Sequence, residues 1–117
     1  MLFELRFFMD AEEVKKKLIS SESITFSAHY YEPKVQIRSI PEKEIINNLK
    51  NPDKLLSFID QGEEPAGHRY ALLFSKSSKY DLRIAVSIKD KNIKVITSHI
   101  QNIKRRKVFE QWLKKRR

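Results

Sequence analysis

The chain contains no cysteine, so neither a disulfide framework nor thiolate chemistry, catalytic or metal-binding, is available to it. Glycine is nearly absent as well. Gly62 and Gly67 fall within one short stretch, and a phosphate-cradling loop or a dinucleotide fingerprint, each built on several glycines at fixed spacing, is thereby excluded. No uncharged apolar run approaches the ~20 residues that a membrane-spanning helix needs. Even the apolar opening, MLFELRFFMD, carries Glu4 and Arg6 and lacks the small residues of a cleavage site. That pattern argues against a secretory leader and predicts a cytoplasmic protein with no membrane partner. His29, His68 and His99 are widely separated in the chain, so no metal-ligand spacing stands out and neither a metal nor another cofactor is expected.

What is present is positive charge, unevenly placed. Of the formal net charge of +9, residues 104–117 contribute +7, from Lys104, Arg105, Arg106, Lys107, Lys114, Lys115, Arg116 and Arg117 against Glu110. The rest of the chain carries only +2. A basic field gathered at one end suits a polyanion, because each phosphate contact releases counterions and steers encounter. The plain alternative is a solvated, lysine-rich surface helix. With 117 residues and 40% hydrophobic composition, the chain suits a single domain with one core.

Residues 2–9 read as a strand, although Leu2, Leu5, Phe8 and Met9 also fit a helical turn. Asp10 offers an N-cap with Glu13 as capping-box partner, predicting a helix over 11–19 with Val14 and Leu18 inward. ITFSAHYY alternates as extended chain, although Ser27 could equally cap a helix beginning at Ala28. Pro33 suits the first position of a short helix ending near Arg38. A stronger start signal follows in SIPEKEIINNLKNPD: Pro41, then acidic Glu42 and Glu44, then apolar Ile45, Ile46 and Leu49, and an Asn51-Pro52 stop. Beyond it the periodicity turns strand-like through KLLSFIDQ, RYALLFSK, YDLRIAVSIK and NIKVITSHI, with GEEPAGH, SSK and Asp90-Lys91 as turns. Short connections predict an antiparallel meander of four strands. Val108, Phe109, Trp112 and Leu113 then mark one face of a C-terminal amphipathic helix, better explained as core packing than as a base-stacking platform. The order predicts an α+β domain of N-terminal helices, meander and C-terminal helix.

Chemistry could sit where polar groups break apolar strands. Arg83, between Leu82 and Ile84, should point away from the core. On the last strand, simple alternation puts Ile93, Val95, Thr97 and His99 on one face and Ser98 on the other. A cation, a titratable group and a hydroxyl brought together would suit metal-free phosphodiester cleavage, in which a ribose 2′-hydroxyl attacks the adjacent phosphate. Each residue alone also has an ordinary reading, Arg83 and His99 as surface residues and Thr97 as a β-former. The Glu63-Glu64 and Glu42/Glu44 pairs are best explained as turn and helix-start residues.

The run SAHYYEPKVQIRSIPEKEIINNLKNPD, with the strands RYALLF, LRIAVSI and IKVITSHI, resembles small toxin-type ribonuclease domains of the barnase, EndoU, colicin D and RelE group. The resemblance covers about residues 24–103. It rests on His29, a basic Lys34, Arg38 with Ser39-Ile40, and the NNLKNPD helix stop; Lys34 and Ser39 stand where the family has Arg and Gly, and the His29 to Arg38 spacing is one residue longer. The resemblance implies a RelE/colicin D-like fold in which residues 1–23 are an added strand and helix, 24–103 the nuclease-like core and 104–117 a basic helix. It also implies a metal-independent endoribonuclease cutting by transesterification, with an antitoxin protein as partner. The site would comprise Arg83 and Arg38 as phosphate ligands with Lys34 beside them, His29 or His99 as the proton-transfer group, and Thr97 or Ser98 as hydrogen-bond donors. Two other readings remain: a non-catalytic nucleic-acid-binding module, and a protein-interaction domain whose basic helix docks an acidic chain.

Overall fold

A computed structural model describes residues 12–31, 40–107 and 111. The expected strand over 2–9, the Asp10 cap, the helix after Pro33 and the Val108, Phe109, Trp112 and Leu113 face lie outside these residues. Helix α1 occupies 12–19. Glu12 and Glu13 favour its positive N-terminal end, while Val14 and Leu18, four apart, fall on one face and are buried. The chain then enters β1 (Ser23–Phe26) and a 3₁₀ turn, Ala28–Tyr31. The two options divide the stretch: it is extended as far as Phe26, and a single 3₁₀ turn, shorter than the helix expected from Ala28, follows Ser27. Ser27 accepts the Tyr30 amide through both its carbonyl (3.1 Å) and its Oγ (3.3 Å), and Tyr30 is buried with its hydroxyl donating to Ile40 O at 2.8 Å.

Helix α2 (Glu42–Lys50) forms where its start and stop signals place it. Pro41 stands at the N-cap, Glu42 and Glu44 occupy the first turn, and the chain leaves at Asn51 because Pro52 has no N–H to continue the ladder. Ile45 and Leu49 are buried while Ile46 is only half-covered. Full burial of a side chain of this size stabilises by about 1.5–3 kcal/mol relative to exposure.

Four long strands follow: β2 (Leu55–Glu64), β3 (Gly67–Ser75), β4 (Tyr80–Lys89) and β5 (Asn92–Asn102). Each is antiparallel to the one before. Asp90 and Lys91 both take positive φ (49° and 67°), the backbone whose twist matches that of a two-residue hairpin. The β2–β3 connection is shorter than the GEEPAGH run suggests. Only Pro65 and Ala66 turn, and Gly62 lies within β2, where the register shifts between Asp60 and Gly62.

The four-stranded antiparallel meander is corrected by the topology. The sheet has five strands in the order β1-β5-β4-β3-β2, and β1 runs parallel to β5, pairing Ser23 with Asn92 and Phe26 with Val95. The α+β class stands, but the sheet is mixed. Alternation marks residues 23–26 as extended without saying which strand they join, and the partner lies almost seventy residues away.

The two faces of the sheet differ. Under α1 and α2 lies the main core, in which Val14, Leu18, Ile45 and Leu49 meet Phe58, Tyr70, Leu72, Phe74, Leu82, Ile84, Val86, Ile93 and Val95. Ile59, Ala71 and Leu73 form a smaller buried cluster, and strand alternation puts Ala71 and Leu73 on the opposite face from Leu72. Among the described residues no helix is long and apolar enough to cross a membrane.

Candidate nucleic-acid interface

A bulge decides where the chemistry-bearing residues of β5 point. Ala85 pairs with Thr97 but Val86 pairs with Val95, leaving Ile96 as the extra residue. An inserted residue reverses the alternation beyond it. Thr97 and His99 therefore lie on the face opposite Ile93 and Val95, which corrects the single-face reading of those four. The 3₁₀ turn braces this point: Ser27 N donates to Val95 O (2.8 Å) and Ser27 Oγ to Ile96 O (3.3 Å). His29 lies on that turn, which packs against β5.

Arg83 sits between the core residues Leu82 and Ile84, on the face away from α1 and α2. Its pairing partners are Leu73 on one side and His99 on the other, and Thr97 occupies the next same-face position of β5. A guanidinium, an imidazole and a hydroxyl thus share one surface at intermediate exposure. Burial, and after it the nearby Arg105 charge, push the Arg83 guanidinium down from its ordinary value. Two cations held this close favour an anion between them.

The sheet's end is fixed by a different cation. Asp81, 0% exposed and two residues before Arg83, accepts from Arg106 Nε at 2.6 Å and Arg106 Nη2 at 2.7 Å. This bidentate clamp holds the 3₁₀ turn Ile103–Arg105 against β4, and Ile103 N donates to Lys79 O at 3.0 Å. Of the basic block, Arg106 is spent on the fold, while Lys104, Arg105 and Lys107 are exposed. Gln101, opposite Asp81, carries a buried Nε2 donor without an acceptor.

Ser98 goes the other way. It pairs with Ile84 at 1% exposure and its Oγ has no hydrogen-bond partner. The Ser98 alternative as a phosphate donor is therefore corrected, since a side chain packed under the helices does not meet a phosphate from solvent. Lys34, Arg38, Lys114, Lys115, Arg116 and Arg117 lie outside the described residues.

A second polar cluster, absent from the sequence reading, occupies the helix-covered face at the β2–β3 end. His68 Nδ1 lies 2.8 Å from Glu63 and its Nε2 hydrogen-bonds Asp60. The ring stacks on Tyr70, with 4.6 Å between centroids, and Lys17 Nζ donates to the Tyr70 hydroxyl at 3.1 Å. Asp60, His68, Tyr70 and Lys17, with Glu13, Val14 and Phe58, line a cavity of about 210 Å³. Glu63 and His68 are partners across the hairpin, so the pairing was accessible in principle once Pro65-Ala66 was recognised as the turn. Among the described residues no group of three or more His, Asp or Glu is arranged to hold a metal ion.

The cluster carries a pH signature. Burial opposes protonation of His68, but the hydrogen bonds and charges of Glu63 and Asp60 outweigh it and raise the pKa above the ordinary 6.5. A raised folded-state value means the interaction stabilises fully below pH 6.5 and fades as pH climbs through the folded value. His68→Gln should therefore destabilise the protein in urea unfolding at pH 5.5, with the difference from wild type shrinking by pH 9. A pH-independent difference would show that packing on Tyr70, and not charge, is what His68 contributes.

Comparison with models of known families, with curated proteins and with solved structures finds no match to this chain.

Proposed function

We propose that this protein acts on RNA, gripping a phosphodiester on the sheet face of Arg83, Thr97 and His99 and cleaving it by attack of the adjacent 2′-hydroxyl. The observation that carries the reading is the Arg83–His99 cross-strand pair, with Thr97 beside it and Arg105 close by. Arg83 and Arg105 supply positive charge for the developing phosphorane, Thr97 supplies a hydroxyl donor, and His99 supplies the proton-transfer group. The toxin-type resemblance points to the same chemistry and to a neutralising protein partner.

The test is incubation of pure protein with mixed RNA in excess chelator, with products examined for 2′,3′-cyclic phosphate ends. Cleavage should proceed, His99→Ala should slow it by about 10²–10⁴-fold, and Arg83→Ala should slow it by about 10²–10³-fold, as loss of one transition-state charge contact does. Intact RNA at high protein concentration removes the enzyme reading. A non-catalytic RNA-binding module is the second reading, because transesterification uses both a base and an acid and the described side chains bring one imidazole to this face. It predicts binding that weakens steeply with salt, without cleavage.

A further inference from the structure

Four large apolar side chains are exposed among the described residues, and two of them, Tyr80 at 45% and Ile100 at 43%, lie together. Tyr80 pairs with Asn102 and Leu82 with Ile100, so Tyr80 and Ile100 are diagonal neighbours on one face at the end of the β4–β5 ladder. The Tyr80 backbone is held firmly. Its carbonyl accepts from Lys76 N (3.2 Å) and Ser77 N (3.0 Å), and its amide donates to Ser77 Oγ (3.1 Å).

Among the described residues, the chain segments next to Tyr80 carry exposed cations. Lys79 precedes Tyr80, and the Ile103 N to Lys79 O bond draws Lys104 and Arg105 alongside, with Lys104 N capped by Asn102 Oδ1 at 2.9 Å. Lys79, Lys104 and Arg105 are exposed, and among the described residues none of them is paired with a carboxylate. The neighbouring carboxylates are already engaged, Asp81 by Arg106 and Glu44 by Lys76. An exposed aromatic ring on a hydrogen-bonded backbone, with unpaired cations on the adjoining segments, has the two elements that single-stranded nucleic acid uses, a stacking surface and phosphate contacts. A duplex keeps its base faces inside the stack, out of reach of one ring at a sheet end.

We infer that Tyr80 stacks an unpaired base of single-stranded RNA, with Lys79, Lys104 and Arg105 holding the phosphates on either side. The inference rests on the RNA-acting reading above and names its substrate class. Arg105 links the two places, since its turn is hydrogen-bonded to Lys79, the residue before Tyr80, and its charge is felt at Arg83. Tyr80 and Arg83 are three residues apart on one strand, about 10 Å along it, on opposite faces. The strand would turn around the open end of the ladder between them.

The test uses the full chain and a labelled single-stranded 12-mer of 2′-O-methyl RNA, which lacks the nucleophile for cleavage, beside its duplex and an abasic oligomer of equal charge. Wild type should prefer the single strand. Tyr80→Ala should weaken that binding by roughly 5- to 100-fold, leave abasic binding unchanged and leave the salt slope unchanged. Tyr80→Phe should bind as wild type does, and Lys104→Ala should lower the salt slope by about 0.7. Equal affinity of wild type and Tyr80→Ala, with Arg105→Ala still weakening binding, overturns the stacking role and leaves the RNA reading standing. A preference for the duplex overturns it likewise. If wild type binds none of the oligomers at low salt, the RNA reading fails and the inference with it, and the patch is left to a protein partner.

Discussion

Arg106→Ala is expected to cost about 3 kcal/mol of folding stability, and to cost more than Asp81→Ala at the other end of the same ion pair. Asp81 is wholly buried whereas the Arg106 side chain is 41% exposed. Removing the arginine strands a carboxylate away from water with both its hydrogen bonds gone. Removing the aspartate leaves a guanidinium that already reaches solvent and can rehydrate, so about 1–2 kcal/mol is lost. In a chain of this size 3 kcal/mol lowers Tm by roughly 10 °C. Urea unfolding of both variants gives the order directly, and a larger loss for Asp81→Ala would mean that the pair is not asymmetric in solvation. On the RNA-acting reading proposed above, the clamp matters for function as well. It pins the turn that carries Lys104 and Arg105 beside Arg83 and Tyr80, so its loss should weaken RNA binding even in the folded fraction.

The second large effect belongs to Gly67. It opens β3 immediately after the Pro65-Ala66 turn with φ at +132°, a conformation that side chains disfavour. A Cβ there would stand 2.7 Å from Ile88 O and 2.9 Å from both Ile88 C and Ser87 Oγ. Two of those atoms are backbone of the central β4 strand and cannot move without disturbing the ladder, and Ser87 Oγ already donates to Ala66 O at 3.1 Å. Backbone strain and overpacking together put Gly67→Ala at about 2–5 kcal/mol. Gly62→Ala is the internal control: its φ is +91°, but nothing lies within 4 Å of the added carbon, so strain alone acts, at about 1–3 kcal/mol. Equal losses in chemical denaturation would show that close approach to β4 is not what requires glycine at 67.

Much of the local structure was legible because its causes are local. Pro41, the acidic first turn and Asn51-Pro52 bound α2 by terms that involve only neighbouring residues. Arg83 between Leu82 and Ile84 had to face away from the core once that segment was a strand. The Thr97, Ser98 and His99 alternation likewise separates Ser98 from its neighbours. Which face each takes was not legible, because the bulge at Ile96 depends on how β5 fits β4 and on Ser27, just after β1, bracing it.

The sequence by itself determined the α+β class, the four segments that become β2 to β5, the outward Arg83 and the cationic character of residues 104–107. Tertiary structure alone decided that β1 joins β5 in parallel, that Thr97 and His99 meet Arg83 on one face, that Arg106 is committed to Asp81, and that His68 lies between Asp60 and Glu63. The division has one physical reason. Propensity, capping and alternation act over a few residues, whereas register, bulges and ion pairs are set by contacts between segments distant in sequence, whose stabilisation appears only when the sheet is assembled.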